Sequence, residues 1–589
     1  MYPDEFGYWA SAGEAVGYDW REVASLGSYY SFGYSMILTP ILKIFQGGVA
    51  AYRAALTVNM ILMCLSVLFL IDVTGRLFPE IDAELRTLIS GAAVLYPAWI
   101  FYMQMTLAEA FLMFLFVGIF WLFVRFVQKP GAIRGIALAL LIVFIYCVHM
   151  RTVSVAIACL ITLALWGLAH PALRKQILVS AGAVVIAGLT VAVIKRNVIL
   201  SVFSGAESET LAVNDYASQI WKIRQILTPG GIRILCKEII AKIFYLGIAG
   251  FGIFYWAVGW CAGRIRELLH RKPAGKRDGE YSEKPADACN VRRWTALFLL
   301  LTVVGEVLIC SVYMHGSVKI DCLIYGRYNE FLMPVLIAVG IPAMLKGRGL
   351  FRKTFLAGVL TGLMIFPVLS VIRSEKMEGI RGYFVVGLSA LIDEEAFEPE
   401  VFLRNAWILG CVLMSLTAVE VAMVRGVRGR TLSEPSLREK NRAWILGGLI
   451  LMEVMTGMQA SAHYTYRVNR IGFENLRIAE KILEEEEGDK DVVYLDEGAP
   501  EFIDFQQMQM PDIPIRVIEG DVKNQKERLG DFLIAGTDTP QRETLEQIYN
   551  RYIKTSTFIL YYHHKGDVSD EKDKDTGDPS VNDLFFWLN

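Results

Sequence analysis

Charged residues are scarce in this chain of 589, at 20% against 54% hydrophobic. That balance, with apolar runs of about 18 to 22 residues, excludes an ordinary soluble domain and points to membrane-spanning helices. The nine cysteines are scattered, mostly within apolar runs such as those around Cys64, Cys147 and Cys411. No paired spacing offers a disulfide framework or a zinc site. A formal net charge of −2 gives no sign of nucleic-acid binding. Met1 is followed at once by polar and acidic residues instead of a basic then apolar stretch, so no cleavable signal peptide is expected. Two matching halves with Gly/Pro-broken helices are also missing, which argues against a secondary transporter or flippase.

What is present is a series of about twelve apolar windows. They fall near 49–72, 84–103, 107–127, 133–150, 152–169, 178–195, 237–260, 294–314, 329–345, 354–372, 404–425 and 443–460. Clusters at Arg125–Arg134, Arg174–Lys175, Arg264–Arg293, Lys346–Lys353 and Arg425–Arg442 occupy alternate loops. Positive loops stay cytoplasmic, so this alternation predicts the orientation. Residues 1–48, 196–236, 315–328 and 373–403, the last with Asp393-Glu394-Glu395, then face outside, as does the tail from 461. An outer amino terminus with no span before it predicts a further apolar helix upstream of Met1, giving about thirteen spans. Segment 28–46 is apolar and aromatic but short and broken by Gly and Pro. It reads as a helix lying at the interface, with a shallow dip into the bilayer as the alternative.

Three domains are therefore expected: an outer segment 1–48, a transmembrane bundle 49–460 and an extracytoplasmic α/β domain 461–589. In the last, Gly472–Glu487 has an amphipathic helical pattern ended by Gly488. Short strand patterns follow near 491–495, 513–518, 531–535 and 557–562, with a helical pattern at 540–552. Alternation of this kind predicts a mostly parallel sheet. The domain lacks a Gly-rich phosphate loop, so a scaffold or acceptor-recognition role suits it better than nucleotide binding. Its end, Gly566–Asp578, is strongly charged.

Polar residues on the expected outer face concentrate in three places: Asp4 and Glu5 with Tyr8, Glu109 after Thr106-Leu107-Ala108, and Tyr325-Gly326-Arg327-Tyr328-Asn329-Glu330. An arginine binds phosphate through a bidentate fork, and a positioned carboxylate can accept a proton from a hydroxyl. Each place also has a structural reading. Asp-Glu after Pro suits a solvated turn or a helix start, and Glu109 suits a helix dipole. Arg327 with its tyrosines suits an interfacial anchor, and Arg151 can simply snorkel. Glu306 and Glu453 lie within spans, where paired or protonated contacts between helices are the usual role. His315 and Asp321 share the outer loop of Arg327 and leave a metal there open.

The order and sidedness of these motifs resemble the GT-C superfamily of integral-membrane glycosyltransferases, particularly bacterial members related to protein O-mannosyltransferases and aminoarabinose transferases. The resemblance rests on Pro3-Asp4-Glu5…Tyr8, on Ser31-Phe32-Gly33-Tyr34 running to Phe45-Gln46-Gly47, on Ala51-Tyr52-Arg53-Ala54-Ala55-Leu56, on Thr106-Leu107-Ala108-Glu109 and on Tyr325-Gly326-Arg327-Tyr328. It covers roughly residues 1–345. Two departures stand out: the family's first span is absent, and Ser31-Phe32 replaces its usual Pro-Pro. The resemblance implies a multi-pass GT-C-like helical bundle that transfers a hexosyl or pentosyl group, with inversion, from a polyprenyl-phosphate-linked sugar to a cell-envelope acceptor hydroxyl. It implies Asp4 and Glu5 as the catalytic carboxylates, with Asp4 as the base, and Arg327, with Tyr325, Tyr328 and Arg151, as the binder of the departing lipid phosphate. Glu5, Glu109 and Tyr8 would orient the acceptor or a divalent cation. A polymerase or ligase acting on lipid-linked polysaccharide is the alternative nearest to this.

Overall fold

Pro3 opens the first helix, Pro3–Val16, at a position where its missing N–H costs nothing. Asp4 and Glu5 fall in the first turn, where carboxylates meet the positive end of the helix dipole. Phe6, Tyr8, Trp9 and Ala10 are buried. The amino-terminal acids are thus presented by a packed helix. The computed structural model describes residues 3–27, 30–203, 220–270, 288–393, 396–429, 435–485, 490–498 and 503–563. Glu394, Glu395 and the charged stretch Gly566–Asp578 lie outside the described residues.

Ser35–Phe45 is the helix expected at the interface. Ser35, Leu38, Ile41 and Leu42 form its buried stripe, while Met36, Ile44 and Phe45 are exposed. The Ser35 hydroxyl donates to the Tyr8 carbonyl at 2.7 Å and ties this helix to the first.

The chain is a multi-pass membrane protein. Among the described residues, seven helices are long and apolar enough to cross a bilayer: Gly48–Leu77, Ala108–Gln128, Met150–Ala169, Pro171–Lys195, Cys289–Met314, Leu350–Ser374 and Pro399–Gly426. Ala132–Val148 is apolar but shorter. Three expected windows take other forms. Window 84–103 is split into Ala83–Val94 and Pro97–Tyr102, because Pro97 holds Tyr96 extended, with ψ 134°. Window 237–260 becomes Pro229–Ala249 and Ile253–Leu269, bent by 113°. The bend occupies Gly250-Phe251-Gly252, where Gly252 takes φ 77° at little steric cost. Window 329–345 is a short turn, Glu330–Leu332, followed by Met333–Lys346, which is buried from Met333 to Met344.

Helix Gly48–Leu77 gives the molecule its scale. Tyr52, near its start, bonds Glu5 at 2.8 Å, and the Leu77 carbonyl, at its end, accepts from Arg292 at 2.6 Å. At 1.5 Å rise per residue these points lie about 37 Å apart, the thickness of a bilayer. Around the Leu77 end gather the basic loops: Arg292 also bonds Glu80 at 3.1 Å, Lys346 pairs with the same Glu80, and Arg425 donates to the Gly347 carbonyl at 2.7 Å. The Tyr52 end carries the acids and arginines described below.

The carboxyl-terminal domain has five strands: β1 (Val492–Asp496), β2 (Ile515–Glu519), β3 (Phe532–Gly536), β4 (Arg551–Lys554) and β5 (Phe558–Tyr562). Their order is β2-β1-β3-β5-β4. The β2-β1-β3 part is parallel as expected, but β5 runs antiparallel to both β3 and β4. The difference arises because the pattern 540–552 closes its helix early, at Ile548, and leaves Arg551–Lys554 to form a hairpin with β5. The amphipathic pattern 472–487 is also interrupted: Tyr466–Glu474 and Leu476–Glu484 meet at Asn475. That side chain accepts from Thr555 at 2.5 Å, and its carbonyl accepts from Gln506 at 2.7 Å, so the break is paid in tertiary bonds. The sheet domain docks on the amino-terminal segment. Trp20 donates to the Pro511 carbonyl at 3.0 Å, and Glu22 accepts the Val517 N–H at 2.6 Å, which covers part of edge strand β2.

Candidate active site

Arg327 lies on a turn between Ile320–Leu323 and Glu330–Leu332. The N–H groups of Gly326 and Arg327 both donate to the Phe384 carbonyl, at 3.1 and 3.0 Å. Gly326 is required by space: a Cβ there would lie 2.3 Å from the Tyr245 ring. Tyr245 cannot easily yield, since its hydroxyl bonds Glu330 and accepts the Gly387 N–H at 3.1 Å. Gly326→Ala is expected to cost about 1–3 kcal/mol and lower the melting temperature of the purified protein. An unchanged melting temperature would mean that the turn gives way freely.

The turn delivers a guanidinium that is 4% exposed into a pair of carboxylates. Arg327 Nη1 donates to Asp4 Oδ2 at 2.5 Å, and Nε donates to Glu109 Oε1 at 2.7 Å. Glu109 stands in the first turn of Ala108–Gln128 and is fully buried. Its Oε1 also faces Arg151 Nη1 and Nη2, each at 3.4 Å. The Arg151 guanidinium lies 4.2 Å from the centre of the Tyr328 ring, a cation–π distance. Tyr328 in turn packs edge-on against Tyr325 at 4.7 Å.

Asp4 is the open member of this group, its side chain 36% exposed. Partial burial pushes its carboxyl up, but the charge and hydrogen bond of Arg327, the hydrogen bond of Tyr30 and the charge of Arg381 outweigh that and hold it below the usual carboxylate range. Tyr8 packs its ring against Tyr30 and Tyr34, at 4.9 and 5.6 Å. Burial, then the nearby Glu109 charge, push its hydroxyl well above its ordinary value, so it stays a neutral donor. Three buried polar atoms of the cluster, Tyr8 Oη, Glu109 Oε2 and Arg151 Nε, have no hydrogen-bond partner among the described residues. Buried polar atoms are nearly always paired, so three in one place suit a site that binds a polar ligand.

Of the residues singled out in the sequence, Asp4, Glu109, Arg151, Arg327, Tyr8, Tyr325 and Tyr328 converge. Glu5 points elsewhere. Its Oε1 accepts from the Thr106 N–H at 2.6 Å, the Thr106 hydroxyl at 2.9 Å and Tyr52 at 2.8 Å. It ties the first helix to the loop before Glu109. Glu5→Gln is expected to lower stability by about 1–3 kcal/mol, with catalysis by the folded fraction largely kept. A full loss of turnover at unchanged stability would return Glu5 to the reacting groups. His315 and Asp321 also stand apart: His315 Nδ1 lies 3.0 Å from Glu238, and Asp321 accepts the Arg381 N–H at 3.2 Å. Among the described residues no group of three or more His, Cys, Asp or Glu side chains could hold a metal ion. Glu306 accepts from Ser154, and Glu453 is buried.

Sequence reasoning did not find Tyr30, Tyr313, His149 or Phe384. The ring of Phe384 lies 5.5 Å from the Arg327 guanidinium, and those of His149 and Tyr313 lie 5.4 and 5.8 Å from that of Tyr328. They come from four distant segments with no shared spacing. The one local signal was the aromatic run Gly382-Tyr383-Phe384 within a segment expected to face outside.

No protein-family model matches the sequence, and no curated protein matches it. Among solved structures, the chain is similar to ArnT from Cupriavidus metallidurans in the apo state, with 13% identity, TM-score 0.48, and coverage of 95% of this chain and 93% of that one. It is similar to the same protein bound to undecaprenyl phosphate, with 14% identity, TM-score 0.46 and the same coverage. It is also similar to the archaeal oligosaccharyltransferase AglB from Archaeoglobus fulgidus in complex with an inhibitory peptide and a dolichol-phosphate. There the identity is 11% and the TM-score 0.34, over 91% of this chain and 65% of that one. ArnT and AglB are both members of the GT-C superfamily.

Proposed function

We propose that this chain is a membrane glycosyltransferase of the GT-C type. It moves a sugar from a polyprenyl-phosphate donor to an acceptor hydroxyl on the outer face of the cytoplasmic membrane, with inversion. The observation that carries this reading is the clamp on Arg327: a buried guanidinium between one open and one buried carboxylate, about a bilayer's thickness from the Lys/Arg-rich loops. Positive loops remain cytosolic, so the clamp and the sheet domain docked beside it lie outside.

Arg327 commits Nε to Glu109 and Nη1 to Asp4, which leaves Nη2 for a phosphate oxygen. Arg151 adds a second guanidinium with an unpartnered Nε. The two arginines are balanced by the two carboxylates at rest, so an arriving lipid phosphate competes directly with Asp4 for Arg327. As that tie loosens, the Asp4 carboxylate regains ordinary basicity. It then takes the proton of the acceptor hydroxyl while that oxygen bonds the anomeric carbon. The bond from the anomeric carbon to the phosphate oxygen breaks with its electron pair on oxygen, where Arg327 neutralises the charge in a water-poor site. A single displacement inverts the anomeric centre. The polyprenyl chain stays among the apolar spans. For a divalent cation the fit is poor, because Asp4 and Glu109 are already bridged by a guanidinium. No step is assigned to a metal.

The test is turnover of polyprenyl-phosphate-linked sugar by the full chain in liposomes, followed as release of polyprenyl phosphate. Solute uptake without donor turnover would overturn the reading in favour of a transporter. Turnover of a diphosphate-linked oligosaccharide alone would point to the polymerase or ligase class.

A further inference from the structure

At the end of the bundle remote from Arg327, a cavity of about 680 Å³ is lined by Arg264, Arg292, Lys346 and Lys353. Among the described residues no carboxylate lines it. The acids that serve these cations stand behind them: Glu80 holds Arg292 and Lys346, and Glu267 holds Arg264 at 2.8 Å. Lys353 has a ring in place of an acid, its Nζ lying 4.9 Å from the centre of Trp256. Arg264 Nε is buried with no hydrogen-bond partner among the described residues. Among the described residues the lining therefore carries more positive charge than the nearby acids neutralise. Leu356, Ala357 and Leu360, one and two turns beyond Lys353 on the same helix, give the lining an apolar strip. It runs on into an exposed stripe of Phe355, Leu356, Val359, Leu360 and Leu363 on helix Leu350–Ser374, which a membrane span turns to acyl chains.

We infer that this cavity binds the phosphate headgroup of an anionic phospholipid of the cytosolic leaflet, with an acyl chain laid along helix Leu350–Ser374. Arginine and lysine between helices on the cytosolic side are the chemistry that captures such headgroups, and each cation near the surface contributes about 1 kcal/mol to the attraction. Trp256 and Trp260 in the same lining suit the headgroup level of the bilayer. The site shares no residue with the Arg327 clamp, so it stands whether or not the transferase reading does. Only its leaflet depends on the orientation argued above.

The experiment uses the full chain purified from nanodiscs of phosphatidylcholine with admixed phosphatidylglycerol, and counts retained lipid by native mass spectrometry. One tightly held phosphatidylglycerol per chain is expected. Lys353→Gln should weaken its retention about fivefold, since one cation is removed. Lys353 is exposed and pairs with no carboxylate among the described residues, so this variant should fold; an unchanged melting temperature in lipid-free detergent checks that. Lys175→Gln, at the start of helix Arg174–Val202 and outside the lining of this cavity, should leave retention unchanged. Equal retention by the wild type and Lys353→Gln would overturn the inference. So would displacement of the lipid by inorganic phosphate at comparable concentration, which would mean that the cavity takes free anions and not a lipid.

Discussion

Asp4→Asn is expected to lower sugar transfer by about 10²- to 10⁴-fold, the usual loss when a positioned general base is removed. Membrane insertion and yield should hold, because asparagine is isosteric and the side chain is 36% exposed. The substitution keeps an acceptor oxygen for Arg327 but cannot take a proton. Donor binding should survive or strengthen, since a neutral amide competes less well than a carboxylate for the guanidinium that the phosphate needs. The informative pattern is therefore a collapse of kcat with an unchanged or lower KM for the donor. Near-normal turnover would remove Asp4 from the reaction. A raised KM with normal kcat would make it a binding residue only.

Arg327→Ala should have the larger total effect, because it removes two things at once. Transition-state charge on the leaving phosphate loses its donor, a loss of about 10²- to 10³-fold in kcat. Glu109 also loses its closest partner at 2.7 Å while remaining fully buried, and breaking a buried pair from one side costs about 3–5 kcal/mol. A simple loss of protein would therefore be ambiguous. The double variant Arg327→Ala with Glu109→Gln separates the effects, since it removes the buried Glu109 charge together with its closest partner, while Arg151 keeps the Tyr328 ring and an amide oxygen to face. Stability should return towards wild type while transfer stays low. Recovery of transfer together with stability would make Arg327 an anchor of the fold and not a binder of phosphate. Arg327→Lys is a further check: a lysine cannot span both carboxylates with a planar fork, so partial stability with poor turnover is expected.

The bundle was legible because its signal is additive along the chain. Each span is a long apolar run, and each basic cluster falls in an alternate loop, so neighbouring errors do not propagate. The places that escaped are those where one residue outweighs its window: Pro97 breaking an apolar run, and Gly250-Phe251-Gly252 folding one window into two helices at 113°. In the sheet domain, four strands followed local pattern, but the direction of β5 depended on whether residues 551–554 paired with it. Pairing is a long-range choice that local periodicity cannot report.

Residue types and their order in the chain are enough to require a membrane, to place Asp4, Glu109 and Arg327 on one side of it, and to nominate them for acid–base and phosphate chemistry. Those conclusions follow from the cost of moving charge and bare backbone into lipid, a cost that each segment meets alone. Which acid faces the arginine was decided only by tertiary structure. Asp4 and Glu5 are neighbours on one helix, about 100° apart around its axis, so they must look in different directions. One meets Arg327 across 323 residues of sequence, and the other meets Thr106.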